Sequence, residues 1–124
     1  MLWNFSEGRP IYAQITEQIK HAVASGELCA GDKIPPVREL AGDAGVNPNT
    51  MQRALSELER SGLLYSQRTN GRFITEDTEL IAKMKAELAN EKVSEFLHSM
   101  KQLGLTHSQT AELIANYKEA DYNE

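Results

Sequence analysis

The residues best suited to specific polar contacts lie in a short segment that begins at Asn47. Residues 47–53 carry five polar side chains and no carboxylate, and the next acidic residue is Glu57. The five are Asn47, Asn49, Thr50, Gln52 and Arg53. Amide side chains match the edge of adenine, arginine matches guanine or a phosphate, and a hydroxyl suits a phosphate. The segment therefore has the chemistry either of a surface that reads nucleic acid or of an ordinary solvated helix face.

This polar segment opens a predicted helix. Asn47 is a favourable N-cap residue, and Pro48 is favourable at the first helical position. Apolar residues then recur at helical spacing until Gly62 ends the pattern. They are Met51, Ala54, Leu55 and Leu58. Because this stripe must face a core, the polar residues face outward.

A second short helix is predicted just before it. Its apolar residues fall at positions i, i+3, i+4 and i+7 from Val37, with Pro36 at its start and Gly45 at its end. Two helices around a turn of about three residues form a helix-turn-helix, whose second helix enters the DNA major groove. Arg38 lies on the exposed side of the first of these helices, and we expect it to contact a phosphate. The alternative is a surface ion pair with a neighbour such as Glu39.

The flanking segments complete a winged helix. An earlier helix is predicted over about residues 10–25, and residues 33–35 are at most an edge strand. After Gly62 the pattern changes to two short strands, 63–68 and 72–75, joined by a tight Asn-Gly turn. The tip carries Arg68, Gly71 and Arg72, two cations and a glycine that suit a minor groove or its phosphates. The alternative is a solvated hairpin turn.

The C-terminal part is predicted to form an α-hairpin that dimerises. A long amphipathic pattern runs from about residue 78 to 103 and ends at Gly104, and Thr106 to Gln109 match a capping box. Two such helices have too little core to stand alone, so we expect their apolar stripe to pack against a second copy. The predicted dimer contacts are Leu88, Phe96, Leu97 and Met100. Tyr117 and Tyr122 suit packing better than a ligand pocket.

Composition limits the classes of protein. The chain has 124 residues with 13 basic and 18 acidic side chains, a formal charge of −5, which suits one compact domain and an appendage. The excess acid is C-terminal: residues 1–76 hold 8 basic and 9 acidic residues, and residues 77–124 hold 5 and 9. Neither a membrane span nor a signal peptide is visible, so we expect a cytoplasmic protein without membrane contact. With one cysteine and three scattered histidines, we expect no disulfide, metal site, cofactor or catalytic triad, and hence no enzyme.

Residues 10–75 resemble the GntR family of bacterial transcription regulators. The resemblance lies in runs at 10–15, 31–41, 46–55, 58–59 and 71–73. The short remainder is similar to the YtrA subfamily, which has two C-terminal helices for dimerisation. The resemblance implies a dimer on a palindromic operator with Arg38, Asn47, Asn49, Thr50 and Gly71 as contacts. Many relatives with large effector domains have arginines where this chain has Pro48 and Gln52, so their base preferences should not transfer.

The sequence thus predicts a mainly α fold with a small β wing, an N-terminal winged helix-turn-helix over residues 1–76 and a helical dimerisation region over 77–124. The predicted function is a homodimeric regulator, a repressor of a palindromic double-stranded operator, with a small-molecule effector left open. A winged helix that binds another protein instead of DNA is the alternative, and it is compatible with the net negative charge.

Overall fold

The computed structural model describes residues 1–118, which contain five helices and one two-stranded sheet. The elements are α1 (Ile11–Ser25), α2 (Val37–Ala44), α3 (Pro48–Arg60), β1 (Leu64–Gln67), β2 (Gly71–Ile74), α4 (Thr78–Gln102) and α5 (His107–Ala115). The chain divides into two compact units, Met1–Lys85 and a second that begins at Ala86. The fold class predicted from the sequence, mainly α with a small β wing, is confirmed.

The first unit is built around α3, which packs against both α1 and α2. Gly45 ends α2 in the left-handed conformation, with φ of 70°, which favours glycine. Asn47 then caps α3 and Pro48 occupies its first turn, as predicted. The buried residues of α3 are the four predicted apolar ones, Met51, Ala54, Leu55 and Leu58. They join one core with apolar residues of α1, α2 and the wing.

The wing is an antiparallel hairpin in which Leu64 pairs with Ile74 and Gln67 pairs with Gly71. The Tyr65 and Phe73 rings stack across the strands with centroids 5.6 Å apart. The first strand is two residues shorter than predicted, and the second has the predicted length but begins one residue earlier. The expected Asn-Gly turn needs positive φ at both residues, but here only Gly71, at 97°, has it. A turn closed by the Asn70 N–H to Gln67 carbonyl bond (3.0 Å) precedes that glycine instead.

Residues before α2 extend the base of the wing. Lys33 and Phe73 form an isolated antiparallel bridge. On either side of it, the Ile34 N–H donates to the Arg72 carbonyl (3.0 Å) and the Ile74 N–H to the Asp32 carbonyl (2.8 Å). The edge strand predicted at residues 33–35 is therefore reduced to a single bridge that ties Lys33 to the wing.

The start of α4 belongs to the first unit, since Leu80, Ile81 and Met84 pack against its core. The compact units therefore part at residue 85, whereas the sequence suggested a boundary at 76. The division of function between the two parts stays a prediction. The N-terminal aromatic residues Trp3 and Phe5 pack on the same core and stack on each other.

The second unit contains the end of α4, a turn at Gly104 and α5. The predicted capping box is present: the Thr106 hydroxyl accepts from the Gln109 N–H (3.1 Å), and the Gln109 side chain accepts from the Thr106 N–H (2.9 Å). Thr110 is buried beside this turn, near Leu97 of α4. Most of the apolar side chains of α5 are exposed nonetheless. Tyr122 lies outside the described residues.

Candidate nucleic-acid interface

The start of α3 presents the predicted polar residues to solvent. Asn47, Asn49, Gln52 and Arg53 are exposed, and Thr50 is half-buried. The Asn47 side-chain oxygen accepts from the Asn49 N–H (2.7 Å), so this oxygen serves as the cap while the amide nitrogen stays available. The structure thus brings the five residues together on one exposed helix end, and no carboxylate lies among them.

Two of these side chains contact another side chain of the protein. The Gln52 amide nitrogen donates to the Ser56 hydroxyl one turn later (3.1 Å). The Arg53 guanidinium lies over the ring of Tyr12, with its central carbon 3.6 Å from the ring centroid. This contact with α1 restricts the positions that the Arg53 fork can take. This role of Tyr12 could not be predicted from the sequence, because nothing local relates Tyr12 to a residue 41 positions away.

Arg38 is exposed near the start of α2. Within residues 1–118 it has no acidic side chain within 4.0 Å, so the alternative ion pair with Glu39 does not form. Its guanidinium is therefore available for a phosphate at the edge of a groove, as predicted for a residue on this helix.

The two arginines of the wing differ in their surroundings. Arg68 is exposed at the tip. Arg72 is half-buried and bonds to the Glu59 carboxylate of α3, which also accepts from the Ser66 hydroxyl (2.9 Å). Burial acts to raise the pKa of Glu59, but the bonds from Arg72 and Ser66 and the Arg72 charge outweigh it and hold the pKa below its ordinary value. Glu59 thus joins α3 to both strands of the wing.

Gly71 lies against Lys33, which the sequence did not indicate as a site residue. A Cβ built on Gly71 would be 3.2 Å from Cε of Lys33. Lys33, with the wing tip and the start of α2, borders an open cavity of about 400 Å³. The tertiary pairing of residues 32–34 with β2 brings this cation to the wing, so its place could not be read from spacing along the chain.

Across residues 1–118, no three His, Cys, Asp or Glu side chains are grouped closely enough to hold a metal ion. No helix in this stretch has the length and apolar character required to cross a membrane.

A helix-turn-helix formed by α2 and α3 and followed by a two-stranded wing places the fold in the winged helix-turn-helix class of DNA-binding proteins. The family model "Bacterial regulatory proteins, gntR family" matches residues 11–74, and the chain belongs to this family. It is a DNA-binding transcription regulator with relatives of the YtrA type.

Two curated relatives cover most of the chain. The HTH-type transcriptional regulator YhcF of Bacillus subtilis is 43% identical over 115 residues, which are 93% of this chain and 95% of that protein. The HTH-type transcriptional repressor YtrA of the same species is 39% identical over 94 residues, covering 76% of this chain and 68% of that protein.

Solved structures agree with this assignment. A GntR family transcriptional regulator from Listeria monocytogenes superposes with a TM-score of 0.84 at 34% identity, over 92% of this chain and 100% of that one. The DNA-binding domain of AraR in complex with operator ORX1 superposes with a TM-score of 0.52 at 34% identity, over 60% of this chain and 92% of that one.

Proposed function

We propose that the protein is a homodimeric repressor that occupies a palindromic operator in the bacterial cytoplasm and blocks transcription from it. The observation that carries this proposal is the exposed, carboxylate-free start of α3. The similarity to the transcriptional repressor YtrA and to the operator-bound domain of AraR supports it.

The proposed base-reading residues are those at the start of α3. Asn49 and Gln52 have the paired donor and acceptor that an adenine edge requires, and Arg53 has the fork for guanine. Asn47 and Thr50 lie at the start of α3, where a side chain can contact either a phosphate or a base edge. Each correct base pair should contribute about 1 to 3 kcal/mol of discrimination.

The proposed backbone contacts surround this helix. Arg38 is free of acidic partners within the described chain, and Arg68 and Gly71 lie at the wing tip. Arg72, proposed from the sequence as a further wing contact, is bonded to Glu59, so we assign it first to holding the wing. Backbone contacts fix the register of the protein on DNA without reading sequence.

The second unit is proposed to join two copies. It leaves large apolar side chains exposed on its helices and just after their ends: Val93 (53%), Phe96 (42%), Leu103 (75%), Leu113, Ile114 and Tyr117. Several large exposed apolar side chains on so small a unit are typical of a protein interface. We propose Leu88, Phe96, Leu97 and Met100 as its contacts with a second copy.

A dimer explains the palindrome, because two identical recognition helices read two identical half-sites. Half-sites about 34 Å apart, one turn of DNA, would place both helices on the same face of the duplex. An effector that changed that separation would release DNA.

The test is a gel shift with the DNA upstream of the protein's own gene, repeated at several salt concentrations. Specific, salt-sensitive binding is expected, and Arg38→Ala should weaken binding to every sequence alike because a phosphate contact carries no base preference. Glu39→Gln is the neighbouring control and should not weaken binding. If the wild-type protein shows no salt-sensitive binding to selected or genomic DNA, the winged helix serves another partner, and a protein-interaction module replaces this proposal.

A further inference from the structure

Lys33 is fixed beside the wing tip by the backbone on both sides of it. Lys33 itself bridges to Phe73, and the next residue, Ile34, bonds to the Arg72 carbonyl at 3.0 Å. Its side chain then passes over Gly71, where an added Cβ would be 3.2 Å from Cε and 4.0 Å from Nζ of the lysine. The ammonium group and the glycine backbone are therefore held as neighbours.

The charge of Lys33 is not used within the described protein. No carboxylate among residues 1–118 lies within 4.0 Å of it, and the residue is exposed. Arg72, by contrast, lies on the same strand as Gly71 but bonds to Glu59. The sequence makes Arg72 the obvious cation of the wing, whereas in the structure the unpaired cation beside Gly71 is Lys33.

The space in front of this pair is open. A cavity of about 400 Å³ lies between the wing tip and the residues that lead into α2. Its lining includes Lys33, Val37, Thr69, Asn70, Gly71 and Arg72. Within the described residues, this lining has two charged side chains, Lys33 and Arg72, and no carboxylate. Because Arg72 is paired with Glu59, Lys33 carries the unpaired charge.

We infer that Lys33 and Gly71 form a subsite for one phosphate of the DNA backbone beside the wing. This inference rests on the proposed function, because it names a contact of the same protein–DNA complex. A lysine ammonium binds phosphate as a point charge, and a glycine without a side chain lets the phosphate approach the backbone. Gly71 also has a φ of 97°, a conformation that other residues rarely adopt.

The first experiment compares Lys33→Gln with Lys83→Gln, a matched loss of one exposed positive charge on α4. Affinity for operator and for unrelated DNA is measured across salt. Each phosphate contact contributes about 0.9 to the slope of log K against log salt. Lys33→Gln removes one contact from each protomer of the proposed dimer, so it should reduce the slope by about 1.8. It should weaken binding to both DNAs by the same factor. Lys83→Gln should match the wild type, and Lys33→Arg should largely restore the slope.

The second experiment locates the phosphate. A series of operator duplexes, each with one neutral methylphosphonate, is titrated with the wild type and with Lys33→Gln. At one backbone position per half-site, neutralisation should weaken the wild type but cause little further loss in Lys33→Gln, because the contact is already absent. Equal losses for the two proteins at every position would overturn the inference.

These outcomes separate the inference from the proposed function. If the wild type binds its operator with a normal salt dependence but Lys33→Gln and Lys83→Gln behave alike, the phosphate subsite is wrong and the proposed function stands. If the wild type does not bind DNA in a salt-dependent way, both are wrong.

Discussion

The central guanidinium carbon of Arg53 lies 3.6 Å from the centroid of the Tyr12 ring. This contact joins α3, the proposed recognition helix, to the first turn of α1. An arginine on an exposed helix would otherwise sample many rotamers. Stacking on an aromatic face contributes about 0.5 to 1 kcal/mol at an exposed site, enough to favour one direction of the side chain. Tyr12 thereby orients the cation that the recognition helix carries in its first two turns.

We expect Tyr12→Leu to reduce the base preference at the position that Arg53 contacts. The lost stacking corresponds to a few-fold change in preference at that one base pair, with other positions unchanged. The measurement is binding to an operator series in which each base pair is changed in turn. Tyr12→Phe keeps the ring and should retain the wild-type pattern. An unaltered pattern in Tyr12→Leu would show that Arg53 is not oriented by this contact.

Glu59→Gln should loosen the wing from α3. The variant removes the negative charge of the group that accepts hydrogen bonds from Arg72 and Ser66. Because Arg72 and Glu59 are both partly exposed, we expect the free energy of unfolding to fall by about 1 kcal/mol. Urea unfolding near neutral pH measures this loss. Glu57→Gln, on the same helix and without side-chain bonds to the described residues, is the matched control and should change stability much less.

The same pair predicts a pH dependence. The pKa of Glu59 is lower in the folded protein than its ordinary value of 4.5, so the folded state favours the charged carboxylate. The resulting stability is present above the unfolded pKa and disappears as pH falls through the folded one. The difference between wild type and Glu59→Gln should therefore be constant near neutral pH and shrink in acid below the ordinary pKa. A difference that persists unchanged in acid would contradict this role for the charge.

Features that depend on neighbouring residues could be predicted from the sequence. The cap at Asn47, the helix end at Gly45 and the capping box at Thr106 each involve groups within about four positions, so local composition determines them. The apolar stripe of α3 was equally predictable, since helical spacing alone selects its buried residues. These local signals were sufficient to predict a winged helix-turn-helix.

The partners of charged side chains could not be predicted in this way. Arg53 meets Tyr12, Arg72 meets Glu59 and Lys33 meets Gly71, pairs that only the packing of α1, α3 and the wing creates. The sequence therefore indicated which residue types face outward, but it gave no sign that Arg72 is paired with Glu59. The exposed positions on α2 and α3 were predicted well, and which of them contact DNA stays a prediction.

Two substitutions of Asn47 separate its structural role from a role in DNA binding. Asn47→Ala removes the cap and should cost about 1 kcal/mol of stability. Asn47→Asp keeps an oxygen for the Asn49 N–H and places a negative charge favourably at the helix start, so stability should be retained. The same charge should repel phosphates and weaken DNA binding strongly. If Asn47→Asp binds DNA as the wild type does, this end of α3 does not face the duplex.

The proposed dimer is tested most directly at Phe96, whose side chain is exposed on α4 of the second unit. A glutamate there would place a charge in an apolar interface, where burial of a charge without a partner costs several kcal/mol. Phe96→Glu should therefore be monomeric in light scattering at concentrations where the wild type is dimeric. Ser94→Glu, exposed and roughly half a turn around the helix, adds the same charge as a control and should remain dimeric. The winged helix-turn-helix should stay folded in both variants, because its core lies in the first unit.

The monomer should then bind a single half-site with the wild-type base preference and lose the extra affinity that a second half-site gives to linked binding domains. A dimer that survives Phe96→Glu would place the interface elsewhere on the protein.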